Sequence, residues 1–426
     1  MFGYYRRRLL WITERLRHQE ANLDDLANLA AMQKWLIREL FTAEDKQQQL
    51  KAERKVLKAQ LASRLDKDES RKIKRRVAWL DRRTERLRDV TYVLRCFGDG
   101  IAFIYLDRHA VKPLSFEGEG QVIKRSAGSL SGKTGLAMEL HVLRSALDHG
   151  VPALLCDLTN SIRHGDVCLL GGSDPHLIEV KTRSDGGARG QRQKVDVTRL
   201  NDFFENDGGE VLGAPTVARS ALSSKPIDHT AALNAVIAAA RAEGRCVASP
   251  EPGVQIVGQR TSSRIPIFSD VVMTGSLGVY SLNAWKMDRT WLSYRPFTLL
   301  IRDPDALFEF IAGDLFLIVV IDFDRLTDAF QEAGLTARLN RDSSYFVSGH
   351  WPDGMEGAWG LSGHYADRIG LELMSPRWVA AEQARNVLQM AENIKAGVHS
   401  FVAPIPTEGP LAVLPRALSA PTLEEG

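Results

Sequence analysis

The first 96 residues contain no proline and a single glycine, Gly3. Turns and hairpins lean on those two residues, so nearly a hundred positions without them leave one regular option, the helix. Leu50, Leu57, Leu61 and Leu65 recur at spacings of seven, four and four, and Ile73, Val77, Leu80 and Leu87 at four, three and seven. The pattern predicts an amphipathic, coiled-coil-like helical hairpin with a break between Asp66 and Ser70. Between Lys46 and Arg88 there are 16 Lys/Arg against 6 Asp/Glu. Such a run is either the solvated face of a long helix or a basic surface that lies along phosphates. Trp79 is the one aromatic in it, which argues against a base-stacking platform.

With 426 residues the chain has room for two or three domains, and its formal net charge of +2 means that any nucleic-acid binding must come from local patches. Cys96, Cys156, Cys168 and Cys246 are scattered, with no CxxC or Cys/His pairing, which speaks against a zinc site or a disulfide framework and fits a reducing cytoplasm. No apolar run reaches the roughly 18 residues of a membrane span. The expectation is a soluble cytoplasmic protein.

Beyond the helical region (1–96), Phe97–Gly100 read as its close and Ile101–Leu106 as a strand. After a loop-rich segment, Leu136–His149 reads as a helix with Leu136, Leu140, Leu143 and Leu147 as its buried stripe, stopped by Gly150. Val151–Asp157 is a short apolar strand, and a helix is expected from Gln191 to Glu205. Residues 213–400 read as a further α/β domain of unknown role, with the apolar Leu315–Ile321 as a buried strand, and 401–426 as a Pro-rich disordered tail.

The chemistry concentrates in Gly165–Ser184, GDVCLLGGSDPHLIEVKTRS. Two short apolar runs flank a turn at Gly171–Pro175, as in a hairpin. Strand alternation puts Glu179 and Lys181 on one face and Ile178 and Val180 on the other. In the right register, Asp166 at the mouth of the first strand lies close to Glu179. Two carboxylates a few ångströms apart repel, and a divalent cation resolves the conflict. Hard oxygen ligands select Mg2+ or Mn2+, and a nearby lysine positions water or stabilises charge on a phosphate. The pattern points to phosphodiester hydrolysis.

Asp166-x12-Glu179-x-Lys181 on a hairpin, with a Glu-bearing helix upstream, resembles the PD-(D/E)xK nuclease superfamily. The resemblance covers roughly residues 130–210. It implies an α/β fold with a restriction endonuclease-like core, a mixed sheet flanked by helices, over residues 97–212. It also implies Asp166 and Glu179 as metal ligands, with the Val180 carbonyl as a third. Glu139 joins them from the first core helix, as in the Holliday-junction-resolvase-like branch, with Lys181 as the catalytic lysine and Gln193 facing the site from the following helix. The implied activity is Mg2+- or Mn2+-dependent cleavage of DNA, with restriction or anti-phage defence as an analogy. Gly165 stands where the family name has proline. The N-terminal helices are a candidate homodimer interface.

Two other readings compete. Ala127–Thr134 fits a loose phosphate-binding-loop pattern, which would make the chain an NTPase using Lys133, with Asp157 ending an apolar strand downstream. In a nuclease, Ser126, Ser129, Ser131, Lys133 and Thr134 would instead hold a DNA phosphate. The third reading is a non-catalytic DNA-binding adaptor on a degenerate core. His141, His149, His164 and His176 are expected to be structural or solvent-facing, and Asp322 and Asp324 to end a buried strand.

Overall fold

The computed structural model describes residues 2–63, 66–117, 122–123, 128–172, 174–180, 188–211, 214–219, 222–272, 274–340 and 345–395. Lys181, Ser126, Ala127 and the Pro-rich tail lie outside the described residues. The chain is a mixed α/β protein that divides into two compact units, residues 1–117 with 123–201, and 118–122 with 202–426.

In the first unit the proline-free segment forms α1 (Arg6–Ala21), α2 (Leu26–Gln60) and α3 (Lys67–Tyr105). Asp25 caps α2 by accepting from Asn28 N, and Asp66 caps α3 by accepting from Asp68 N and Glu69 N, so the chain reverses where the sequence places its break. Leu50, Leu80 and Leu87 close a core with Ala43, against which Leu57 packs. The apolar seam of the helices is thus filled within one chain.

The strand expected at Ile101–Leu106 is not formed. Residues 101–105 are the last turn and a half of α3, which runs without a break past the expected domain boundary at residue 97. A six-residue apolar run is ambiguous between a strand and a buried helix. Here Gly98 and Gly100 do not stop the helix. A β-carbon on Gly98 would stand 1.9 Å from the Leu158 carbonyl oxygen, so the glycine lets the helix backbone abut the 156–161 segment. Asp99 completes that junction, accepting from the backbone N–H groups of Asn160 and Ser161 at 2.8 Å each.

Against these helices lie α4 (Leu136–Asp148), strands β1 (Ala153–Leu155), β2 (Val167–Leu169) and β3 (His176–Ile178), and α5 (Ala188–Glu205). The sheet order is β1-β2-β3. The expected mixed sheet is antiparallel across both of its pairings, because a tight hairpin joins β2 to β3 and α4 precedes β1 without crossing over. Side-chain amides cover both edges. Gln33 of α2 donates to Ala153 O and accepts from Leu155 N, and Asn201 of α5 does the same for Leu177 O and N. Each amide mimics a neighbouring strand where an unpaired ladder would otherwise be left.

The second unit is built on a four-stranded antiparallel sheet of β4 (Arg245–Glu251), β5 (Val254–Arg260), β6 (Leu277–Ser281) and β7 (Leu315–Asp322), ordered β6-β7-β5-β4. The apolar β7 is central, as its composition requires. Asp322 ends it and caps the helix Phe323–Glu332 by accepting from Asp324 N, a structural use of that acidic pair. Among the described residues no helix is long and apolar enough to cross a membrane.

Candidate active site

Register places the hairpin carboxylates. Val167 pairs with Ile178 and Cys168 with Leu177, and Asp166, just before the first of these pairs, bonds to Ile178 and Val180 on either side of Glu179. Asp166 N donates to Ile178 O at 2.8 Å, and Asp166 Oδ2 accepts from Val180 N at 2.9 Å. The carboxylate is therefore held by the backbone of the strand that carries Glu179, which is half-buried just past β3. Gly165 has φ +72° and lies so close to Ile178 that an added β-carbon would be 3.2 Å from its carbonyl oxygen. Proline, locked near −65°, has no access to that conformation, which explains the glycine.

Three carboxylates converge on one cation, the Lys133 ammonium. Its Nζ lies 2.8 Å from Asp157 Oδ2, 2.9 Å from Asp166 Oδ1 and 2.9 Å from Glu139 Oε2. Asp157 and Asp166 accept hydrogen bonds from it. Glu139 Oε2 completes the trio around the same ammonium from a side chain only 3% exposed. Asp157 sits in the single helical turn Cys156–Leu158 that follows β1, and Cys156 N donates to Asp166 O, which ties the two acids together. Glu139 is on the first turns of α4 and is more deeply buried than its stripe neighbours Leu136 and Leu140.

Burial raises the Glu139 carboxyl above its ordinary value; Lys133 opposes this, and the Asp166 and Asp157 charges add to it. Burial works against the Lys133 ammonium, but Asp157, Glu139 and Asp166 more than reverse that and hold its pKa above the usual lysine range. Burial also pushes up the Cys156 and Cys168 thiols, the latter to about 12, so neither offers a thiolate at neutral pH.

The loop that presents Lys133 is clamped from behind. Glu44 of α2 accepts from Leu130 N at 2.8 Å, Ser131 N at 3.0 Å and the Ser129 hydroxyl at 2.9 Å. Arg95 of α3 pairs with Glu44 and donates to Gly128 O and Asp157 O. A phosphate-binding loop offers its N–H groups to phosphate. In this chain an internal carboxylate takes two of them, and the loop lysine faces acids. That geometry weakens the NTPase reading.

The sequence-derived candidates divide accordingly. Glu139 and Asp166 are brought together, Glu179 and Val180 lie beside Asp166, and Lys181 lies outside the described residues. Gln193 is exposed on α5, ahead of the buried Val197. The stripe spacing puts it on the Val197 face, but over the first turns of the helix that face is turned to solvent. Asp157, Glu44 and Arg95 were not among the expected site residues. Asp157 had a signal, an acid ending an apolar strand; Glu44 and Arg95 had none, since only tertiary packing brings them to residues 128–131. His141, His149 and His176 are exposed and His164 is buried.

Among the described residues no group of three or more His, Cys, Asp or Glu is disposed to hold a metal ion, and the centre of the carboxylate trio belongs to Lys133. The donor types nevertheless suit a hard divalent cation. They are all carboxylate oxygens, and one ammonium does not balance three negative charges. Compared with known proteins, the chain matches no family model, and no curated protein or solved structure is similar enough to count as a match.

Proposed function

We propose that the chain is a metal-dependent nuclease that hydrolyses DNA phosphodiester bonds on a restriction endonuclease-like, PD-(D/E)xK-type core. The observation that carries this reading is the convergence of Glu139, Asp157 and Asp166 from three separate elements on one cation. The order of helix, three antiparallel strands and helix, with Asp166 bonded to the backbone on either side of Glu179, supports it.

Asp166, Glu179, Glu139 and Asp157 would hold Mg2+ or Mn2+, with the Val180 carbonyl as a further oxygen. Bound there, the ion would supply a Lewis acid for the phosphate and would lower the pKa of a water. Lys181, two residues past Glu179, orients the attacking water and offsets charge developing on the phosphate. The water oxygen bonds to phosphorus, the ester P–O bond breaks, and the leaving oxygen takes up a proton. Val180 N–H fixes Asp166, so its carboxylate does not have to reorganise during the step. The α2–α3 arm supplies the phosphate-tracking surface. Lys67, Arg71, Lys74 and Arg75, all exposed, line a shallow concavity of about 470 Å3 on the first turns of α3.

Lys133 in the middle of the trio favours a second reading, a core that binds DNA without cutting it. One assay separates the two. Wild-type protein is incubated with supercoiled, linear or single-stranded DNA in Mg2+, Mn2+ or EDTA beside Lys181→Ala. We expect metal-dependent cutting that the variant loses. Cutting retained in Lys181→Ala contradicts the assignment of that lysine. Metal-independent DNA binding with no cutting on any substrate supports the non-catalytic core.

A further inference from the structure

We infer that the exposed side of α3 docks the sugar-phosphate backbone of duplex DNA, in preference to single strands, and holds it without help from the carboxylates of the hairpin. The inference deepens the proposed nuclease reading: it rests on DNA as the substrate and names its form. Positive charge is concentrated here. Between Lys46 and Arg88, 16 Lys/Arg stand against 6 Asp/Glu, in a chain whose formal net charge is only +2. A polyanion is the partner that complements such a surface.

Helical geometry lines the cations up. Lys67, Arg71, Lys74, Arg75, Arg82 and Arg86 are all exposed. Spacings of three, four and seven put them on one side of α3, away from the buried Val77, Leu80, Thr84 and Leu87. At a rise of about 1.5 Å per residue the row is roughly 28 Å long, most of the roughly 34 Å in a turn of duplex. The acids of the arm are engaged elsewhere. Asp81 pairs with Arg54, Asp68 with Arg71, Glu53 with Arg76 and Glu85 with Arg88, while Asp66 caps α3. Among the described residues no acid pairs with Lys74, Arg75, Arg82 or Arg86, and the first two line the concavity beside the small Ser70 and Ala78. The row carries no aromatic, and the Arg76 guanidinium lies over the ring of the neighbouring Trp79, 4.3 Å from its centroid. Binding of single strands leans on base stacking. A row of cations without a free stacking platform suits the regularly spaced phosphates of a duplex.

The test is fluorescence anisotropy of a labelled duplex, and of one of its strands alone, titrated with the full chain. EDTA keeps metal-dependent cutting out of the measurement, and KCl is varied between about 50 and 200 mM. Lys74→Gln/Arg75→Gln should weaken duplex binding at least about tenfold and lower the slope of log affinity against log salt by about 2, close to one for each phosphate contact removed. Lys74→Arg/Arg75→Lys keeps both charges and should bind as wild type. Arg264→Gln/Arg338→Gln removes the same charge from exposed positions of the second unit and should also bind as wild type. The inference is overturned if wild type binds no duplex or binds the single strand more tightly. It is equally overturned if Lys74→Gln/Arg75→Gln keeps wild-type affinity, or if the second-unit variant loses as much. None of these outcomes touches the metal-dependent cutting by which the nuclease reading stands or falls.

Discussion

Asp166→Asn should lower metal-dependent DNA cleavage by at least about 10²-fold while leaving the fold intact. The substitution is nearly isosteric, and an amide oxygen can still accept from Val180 N, the bond that fixes the side chain to the third strand. What changes is charge. One carboxylate fewer faces the cation, and the new amide NH2 points at Lys133, which now lies 2.9 Å from Asp166 Oδ1. If the trio holds the ion that activates water, the loss appears in turnover and in metal affinity, and the circular dichroism spectrum and melting temperature stay close to wild type. Asp148→Asn, at the exposed end of α4, should cut normally. Full activity in Asp166→Asn would remove the hairpin acid from the mechanism.

Glu44→Ala should destabilise the first unit by about 3–5 kcal/mol, or roughly 10 °C in melting temperature for a unit of this size. Glu44 and Arg95 are only 8% and 9% exposed, and they form an ion pair with few water molecules to replace either partner. Removing the carboxylate leaves the Arg95 guanidinium with an uncompensated charge and strips Leu130 N, Ser131 N and the Ser129 hydroxyl of their acceptor. Losing one partner of a buried pair costs more than the pair contributes when intact, because the other charge stays behind. Glu44→Gln keeps an acceptor and should lose less. Thermal melts of the three proteins decide this, and a Glu44→Ala melt within 2–3 °C of wild type, an offset of about 1 kcal/mol, would show that water takes over the clamp.

Much of the helical architecture was legible because it depends on local rules. A segment without proline, with leucines at helical spacing and an Asp capping α2 and α3, has few alternatives. The hairpin was legible for the same reason, since two short apolar runs around a Gly-rich turn pair as antiparallel strands. Glu139 could be found at the edge of an apolar stripe. Ile101–Leu106 could not be read correctly, because the apolar run fits strand and helix equally and the two glycines before it looked like a stop. Gly98 is there for Leu158, sixty residues away in sequence, and no local pattern encodes that approach. Glu44 and Arg95 were silent for the same physical reason. Each looks like one more charge on a basic helix, and only the packing of α2 and α3 against residues 128–131 turns them inward. Lys133 was conspicuous as a residue, but its neighbours in space, acids from three separate segments, could not be read from the motif.

Whether Glu139, Asp157 and Asp166 form a seat for a divalent cation is decided by anomalous diffraction from crystals of the full chain soaked in Mn2+. An anomalous peak is expected among those three carboxylates, with the Lys133 side chain withdrawn from its place between them. Crystals that diffract well and show no peak there, with Lys133 still bridging the acids, would contradict the metal seat.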